Sequence, residues 1–185
     1  MLHSTRRVYS GRVIDLDVDE VEFPDGSRGS LEMVRHSGAA AVLPFLDPPT
    51  APDPRVVLIR QFRHAADGYI YEIPAGRVDK GESPERCARR ELQEETGYDA
   101  ARMLELLTIY TTPGFTDERI HLFYADGLVE GAPAREPDEL IEPVVLRWSA
   151  LEERVGRGEI ADAKTLTAIL FWDSFVRRHP PDASS

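Results

Sequence analysis

Hydrophobic and polar positions alternate along the first 36 residues of the chain. Apolar side chains such as Val13, Val18 and Phe23 recur between polar ones until Pro24-Asp25-Gly26-Ser27 interrupts the pattern. An alternation with a period of two predicts strands, and a cluster of Pro, Asp, Gly and Ser predicts a turn. We therefore predict antiparallel N-terminal strands around this turn.

Longer apolar runs predict buried strands further along the chain. Residues 39–45 and 56–62 form two such runs, and the Pro-rich segment 47–54 between them predicts a surface loop. Shorter strands are predicted at 69–73, 104–110, 120–125 and 144–148. Apolar residues recur at helical spacing in 162–178, which predicts a core-packing helix, and 150–155 is predicted to be helical too.

Residues 84–96 predict the best-defined helix. Ser83 can accept a hydrogen bond from the first free backbone N–H groups, and Pro84 suits the first helical position. Gly97 can adopt the left-handed conformation that ends a helix. Both ends of this helix are therefore marked in the sequence.

Three carboxylates share one side of that helix, because Glu91, Glu94 and Glu95 are spaced i, i+3, i+4. Arg89 and Arg90 precede the cluster, and no basic residue lies within it. A solvated acidic face is one interpretation. The other is a Mg²⁺ site, because Mg²⁺ binds a few carboxylates, keeps several waters and shares phosphate oxygens of a substrate. Two such ions would neutralise a pyrophosphate and activate water.

Composition and charge limit the classes of molecule that the protein is expected to bind. The 185 residues suit one catalytic domain, and 22 basic against 33 acidic residues give a net charge of -11. Such a surface repels nucleic acid, and a phosphate-bearing substrate would need a local Arg cluster or bound cations. The single cysteine, Cys87, and the absence of a long apolar stretch lead us to expect a cytoplasmic protein without a membrane partner.

The segment 76–98 resembles the Nudix box. The positions that carry the resemblance are Gly76, Glu82, Arg90-Glu91-Leu92, Glu94-Glu95 and Gly97. Tyr98 departs from the aliphatic residue usual at the last position. The resemblance implies an α/β fold, an α/β/α sandwich around a mixed β-sheet, here with added N-terminal antiparallel strands. It also implies hydrolysis of nucleoside diphosphates linked to another moiety.

Site roles follow from the resemblance position by position. Glu91 and Glu95 are implied as the principal metal ligands, with Glu94 beside them and the backbone carbonyl of Ala75 completing the set. The expected metal is Mg²⁺, with Mn²⁺ as a substitute.

The remaining box residues are expected to be structural. Glu82 is implied as a supporting carboxylate, and Arg90 is expected to pair with Glu82 or Glu94. Gly76 and Gly81 are expected to allow tight turns, and Gly97 to end the helix.

The flanking residues resemble the ADP-ribose pyrophosphatase group. They are segment 71–76 entering the box, 60–63 before it and 113–118 after it, and the resemblance covers about residues 30–175. It implies hydrolysis of ADP-ribose to AMP and ribose 5-phosphate. It also implies a homodimer whose N-terminal strands contribute to the partner's substrate site. A GDP-mannose or other nucleotide-sugar hydrolase, or a non-hydrolytic binding module, remain the alternatives.

Five residues outside the box are candidates for substrate binding. Arg63 suits a bidentate grip on a diphosphate, although it could be an ordinary surface arginine. Glu72 could bind substrate hydroxyls or a metal-bound water, or pair with Arg63. Phe115 and Glu118 are candidates for substrate contact or for turn packing, and Arg28 is a candidate from the N-terminal region.

The base for the attacking water is sought in the acidic segment 136–142, since related enzymes often carry it on a late loop. Glu139 is the first choice, Glu136 the second and Glu142 the third, with Glu94 also counted among the catalytic carboxylates.

The sequence is expected to divide into a 1–36 strand region for dimerisation, a 37–180 hydrolase domain and a flexible 181–185 tail.

Overall fold

The computed structural model describes residues 1–131 and 140–178, and every structural statement below concerns these two ranges. Their strands are β1 (Leu2–Ser10), β2 (Asp15–Glu22), β3 (Arg28–Arg35), β4 (Ala39–Pro44), β5 (Arg55–Arg63), β6 (Gly68–Glu72), β7 (Ala75–Arg77), β8 (Tyr98–Tyr110), β9 (Arg119–Glu130) and β10 (Ile141–Arg147). Their α-helices are α1 (Pro84–Thr96), α2 (Trp148–Gly156) and α3 (Ala163–Phe171).

The strands form three sheets. The first is the antiparallel N-terminal sheet, in the order β1-β2-β3, and its predicted turn is confirmed, with Gly26 at φ 83°. The second has the order β10-β5-β6 and is antiparallel. The third has the order β7-β4-β9-β8, with β4 parallel to β9 and the other pairs antiparallel. The expected mixed sheet is therefore confirmed.

Strand β4 is the centre of the core because both of its faces are covered. Ala40 and Val42 belong to a buried cluster with Leu92 of α1. Ala41 and Leu43, on the opposite face, belong to a second cluster built with α2 and α3. Helices thus cover both sides of the sheet, and the expected α/β/α sandwich is confirmed.

Three aromatic rings fix the helices of the second cluster. Phe45, Trp148 and Trp172 are buried, and the centroid of Phe45 lies 5.8 Å from that of Trp148 and 4.5 Å from that of Trp172. Each ring removes a large apolar area from water. This cluster therefore holds the starts of α2 and of the C-terminal helical turn against the end of β4.

Helix α1 has the bounds and ends that its sequence predicts. Ser83 Oγ accepts a hydrogen bond from the backbone N–H of Arg86 at 3.3 Å. At the other end Gly97 has φ 79°, and its N–H donates to the carbonyl of Gln93. Leu92 is fully buried against the sheet, as predicted.

Several elements differ in extent from the prediction: β9 continues to Glu130, β10 starts at Ile141, and β7 was not predicted as a strand. Strand β8 starts at Tyr98 and not near residue 104, because it pairs with β9 along its whole length. The predicted 162–178 helix is α-helical only to Phe171 and continues as a π-helical turn, Trp172–Arg177.

The proposed 181–185 tail lies outside the described residues, and the division into domains stays a prediction. Within the described residues, no helix is both long and apolar enough to cross a membrane.

Candidate active site

A cleft of about 340 Å³ opens where the N-terminal sheet meets the sandwich. The loop between β1 and β2, the end of β5, strand β7 and helix α1 form its walls. Its lining residues are Arg12, Val13, His36, Gln61, Arg63, Ala75, Gly76, Arg77 and Glu95. Box residues and residues far from the box in sequence thus meet in one cavity.

The carboxylates of α1 reach the cleft because the helix packs closely on β7. Glu95 is 4% exposed, and its Oε2 accepts a hydrogen bond from the backbone N–H of Ala75 at 3.0 Å. Glu91 approaches β7 even more closely, since a Cβ atom added to Gly76 would lie 1.8 Å from Glu91 Oε1. The helix therefore places Glu95 in the cleft wall and Glu91 against Gly76, another residue of that wall.

The predicted role of Gly76 in a turn is wrong. Gly76 lies in strand β7 and is not among the glycines with positive φ, whereas Gly81 has φ 84° in the turn expected of it. Only a residue without a side chain leaves room for the Glu91 carboxylate. Gly76 is required for close approach, and Gly81 for its turn.

Arg90 pairs with the carboxylates of the box, although it precedes the acidic cluster in sequence. Its Nη1 donates to Glu91 Oε1 at 2.6 Å and to Glu94 Oε2 at 3.0 Å. Its Nε and Nη2 donate to the two carboxylate oxygens of Glu82, each at 3.1 Å. The hydrogen bonds with Glu82 raise the pKa of Arg90 above its ordinary value, so the guanidinium stays charged. Both expected partners of Arg90 are confirmed, and Glu91 is a third.

Arg63 and Glu72 form a bidentate pair between β5 and β6. Arg63 Nε donates to Glu72 Oε1 at 2.6 Å, and Nη2 donates to Oε2 at 2.9 Å. Lys164 of α3 also donates to Glu72 Oε2. Burial raises the pKa of the Glu72 carboxyl, but the hydrogen bond from Arg63 and the charge of Lys164 outweigh it and lower the pKa below its ordinary value. Of the roles considered for Glu72, pairing with Arg63 is therefore present in the structure.

Basic side chains gather in this cleft although the protein is acidic overall. Arg12, Arg63 and Arg77 all line it, and Arg77 Nη1 donates to the backbone carbonyl of Arg12 at 3.0 Å. Because low-dielectric walls strengthen a local charge, three guanidinium groups can attract a diphosphate despite a net charge of -11. The local Arg cluster that the sequence required is present.

Phe115 and Glu118 lie at the edge of the cleft, in an adjoining hollow of about 390 Å³ that shares His36 with it. Phe115 is 54% exposed. Glu118 Oε1 lies 3.4 Å from His36 Nδ1, and its Oε2 accepts from Thr111 Oγ1 at 2.9 Å. Phe115 thus offers an open aromatic face, whereas Glu118 is held in place by its neighbours.

Two other candidates, Arg28 and Glu142, do not line this cleft. Arg28 is at the start of β3, at the tip of the N-terminal sheet, where it faces Glu22 at 3.4 Å. Glu142 lies on β10 and faces Arg60 at 3.6 Å. The first two choices for the base, Glu139 and Glu136, lie outside the described residues.

The donors of the cleft suit a hard divalent cation that retains water. Among the described residues, no three His, Cys, Asp or Glu side chains form a ready-made metal cluster. Mg²⁺ does not need one, because it is commonly held by one or two carboxylates, waters and substrate phosphates. Glu91, Glu95 and the carbonyl of Ala75 are oxygen donors of this type. The Oε1 atom of Gln61, also in the cleft wall, is buried without a hydrogen-bond partner among the described residues.

Sequence reasoning missed Gln61, Lys164, Arg12 and Arg77, the last of which is a residue of the box segment that was not singled out as a candidate. Gln61 is two positions from Arg63 on β5, so strand alternation places both on one face and could have identified it. Lys164 is a basic residue in an apolar helix, which is a weak signal. Arg12 lies in a loop whose position depends on the packing of the whole N-terminal sheet, and its sequence carries no signal.

Comparisons with known proteins show the family and the fold of this chain. A family model described as the NUDIX domain matches residues 35–169. The chain is 40% identical over 167 residues to the ADP-ribose pyrophosphatase of Bacillus subtilis (strain 168), covering 89% of this chain and 88% of that protein. It is 39% identical over 169 residues to the methanol dehydrogenase activator of Bacillus methanolicus, covering 90% and 89%. A crystal structure of an ADP compounds hydrolase has the same fold, with a TM-score of 0.81, 20% identity and coverage of 97% of this chain and 95% of that chain.

The close approach at Gly76 generates a stability prediction. In Gly76→Ala the new methyl group collides with Glu91, which must leave Arg90 and the strand. Because the displaced atoms are the end of a flexible side chain, we expect a cost at the low end of the range for overpacking, about 1 kcal/mol. Urea unfolding should therefore show a lower midpoint for Gly76→Ala. The matched control is Gly114→Ala, where an added Cβ meets nothing within 4 Å. Equal midpoints for the two variants would contradict the proposed need for glycine at position 76.

Proposed function

This chain belongs to the Nudix hydrolase family, and from that premise we propose that it cleaves the diphosphate bridge of ADP-ribose to give AMP and ribose 5-phosphate. The observation that carries the proposal is that one cleft combines Glu95, a carboxylate of α1, with a guanidinium group, Arg63, fixed by a buried carboxylate. Similarity to a Bacillus ADP-ribose pyrophosphatase along most of the chain supports the choice of substrate.

The reaction needs few groups from the protein. A water oxygen forms a bond to one phosphorus atom, the bond from that phosphorus to the bridging oxygen breaks, and the proton of the water passes to a carboxylate. Arg63 is suited to hold the diphosphate. Its Nε and Nη2 atoms donate to Glu72, which fixes the guanidinium group, and its Nη1 atom makes no hydrogen bond with the described residues. Positioning the diphosphate in this way removes entropy from the reacting complex before the bond breaks.

Glu91, Glu95, Glu94 and the carbonyl of Ala75 would hold Mg²⁺ or, as a substitute, Mn²⁺. Such an ion, when bound, supplies charge neutralisation on the diphosphate and a lower pKa for water. Glu95 is preorganised for this role by the N–H of Ala75, which fixes one of its oxygens in the cleft wall. Arg90 holds Glu91, Glu94 and Glu82 together, and thereby limits repulsion among them.

Glu139 is the proposed base, with Glu136 as the second choice. Glu142 is a weaker candidate because its carboxylate faces Arg60 on β10 and is 69% exposed. A carboxylate with an ordinary pKa is ionised at neutral pH and can take the proton of a water already made more acidic. Phe115 and Glu118 are the proposed contacts to the nucleoside or sugar at the edge of the cleft.

We further propose that the N-terminal sheet joins two copies of the chain. All nine residues of β1 are exposed, including Val8 and Tyr9, which are 50% and 58% exposed. An exposed edge strand of this length, whose backbone groups are unpaired along one side, is a typical surface for association. Arg28 lies at the tip of this sheet, outside the cleft of its own chain, so a substrate role would place it in the site of the second copy.

The substrate is tested with a panel of ADP-ribose, GDP-mannose, NADH and dinucleoside polyphosphates, each with Mg²⁺, with Mn²⁺ and with EDTA. We expect the highest kcat/KM for ADP-ribose, equal amounts of AMP and ribose 5-phosphate, and no turnover in EDTA. Strong activity on GDP-mannose beside weak activity on ADP-ribose would support the nucleotide-sugar alternative. No hydrolysis of any compound would favour a binding module and would refute the proposal.

A series of Glu→Gln variants tests the carboxylates. Glu91→Gln and Glu95→Gln should lower kcat by orders of magnitude, since Gln keeps the shape but not the charge needed for a cation. Glu139→Gln should retain KM and turn over slowly. Glu153→Gln, an exposed change on α2, is the control and should behave like the wild type. A wild-type rate for Glu95→Gln would overturn the metal assignment, and one for Glu139→Gln would transfer the base to Glu136 or Glu142.

Light scattering after size-exclusion chromatography tests the association. We expect a mass of twice 20.8 kDa for the wild type and a shift toward the monomer for Val8→Glu, because a buried charge opposes the contact. Val145→Glu introduces the same charge at a 46% exposed position on β10 and is the matched control. A monomeric wild type at micromolar concentration would refute the dimer.

A further inference from the structure

Lys164 connects the substrate cleft to helix α3. It lies in the first turn of α3 with its side chain only 11% exposed. Its ammonium group donates to Glu72 Oε2 and lies 3.0 Å from Asp162 Oδ2. Glu72 in turn holds Arg63 through both carboxylate oxygens. Two cations and two carboxylates therefore form one continuous chain of contacts that ends at the cleft wall.

The same turn of α3 also forms a hydrogen bond with the backbone at Ile73, just before the box. Asp162 Oδ2 accepts from the N–H and the hydroxyl of Thr165, at 3.0 and 2.6 Å, and so caps α3. The Oγ1 atom of Thr165, which is fully buried, accepts from the backbone N–H of Ile73 at 2.9 Å. The start of α3 is therefore attached to the strand that carries Glu72 and leads to Ala75.

Helix α1 holds the other end of this short segment. Glu95 of α1 accepts from the N–H of Ala75, two residues beyond Ile73. The segment 72–75 is thus fixed between the start of α3 and the carboxylate face of α1. A shift at Lys164 would be transmitted through Glu72 to Arg63, because Glu72 is 1% exposed and its carboxylate accepts hydrogen bonds from both cations.

Charge gives Lys164 a second effect on Arg63. With Arg63 as its only cation, the Glu72 carboxylate would cancel the charge of that guanidinium group. Lys164 shares the neutralisation of Glu72, so Arg63 retains more positive potential toward the cleft. Glu72 is 1% exposed, so solvent screens this effect mainly at Arg63, whose side chain is 42% exposed.

We propose that Lys164 is a positioning residue for hydrolysis, which acts through Glu72 to fix and to polarise Arg63 toward the substrate diphosphate. This inference rests on the proposed function, since it assumes that Arg63 contacts the substrate. The start of α3, which lies far from the box in sequence, would then take part in positioning the substrate. Lys164 itself does not line the cleft that holds Arg63.

A double-mutant cycle tests this assignment. Lys164→Met keeps the length of the side chain and removes its charge, and Arg63→Gln removes the proposed grip. In wild-type background, Lys164→Met should lower kcat/KM for ADP-ribose by about tenfold, within the range of couplings between contacting residues. In the Arg63→Gln background it should change kcat/KM by less than about twofold, because the residue through which it acts is gone.

Two further variants separate positioning from stability. Lys164→Arg keeps a positive charge beside Glu72 and should recover most of the lost kcat/KM. Arg157→Met removes an exposed charge just after α2 and should behave like the wild type. Thermal unfolding of each variant reports its fold. If Lys164→Met does not fold, Lys164→Gln, which keeps a hydrogen-bond donor for Glu72, takes its place in the cycle.

The outcomes are distinct. Equal losses from Lys164→Met in both backgrounds, or a wild-type kcat/KM in the single variant, would overturn the positioning role. A wild-type chain that hydrolyses no compound of the panel would refute the proposed function itself, before the cycle is measured. If another compound of the panel is the better substrate, the cycle is measured with that compound and tests the same network.

Discussion

The structure depends on how closely helix α1 approaches strand β7. Glu95 accepts from the N–H of Ala75, and Glu91 occupies the space that a side chain at position 76 would fill. The burial of Leu92 and its neighbours against β4 supplies the apolar contact that holds the helix there. Because this packing fixes carboxylates at a wall of the cleft, the hydrophobic core and the candidate chemistry share one constraint.

Charge compensation is the second constraint on the site. A carboxylate as buried as Glu72 is stable only if cations and hydrogen bonds replace its water, and Arg63 and Lys164 do so from two different elements. Arg90 likewise supplies a positive charge and hydrogen bonds to the box carboxylates. The acidic protein thus builds a cleft in which positive groups face a bound diphosphate and negative groups remain for a cation.

Sequence reasoning identified the parts of this site that depend on local geometry. The ends of α1, the shared side of its glutamates and the pairing of Arg90 all involve residues within a few positions of one another. It was less successful where the outcome depended on distant packing. For Gly76 it inferred a turn, because a glycine in sequence does not reveal that a carboxylate from another element lies against it.

By itself the sequence determined the strands, the capped acidic helix, the Nudix resemblance and the acidic charge of the whole chain. These follow from periodicity and from spacing along the chain, which are local properties. Only the tertiary structure decided that Arg12, Arg63 and Arg77 share a cleft and that Lys164 holds Glu72, 92 residues away in sequence. Contacts between elements are set by how buried faces pack, and no local spacing encodes which distant charge will complete a buried pair.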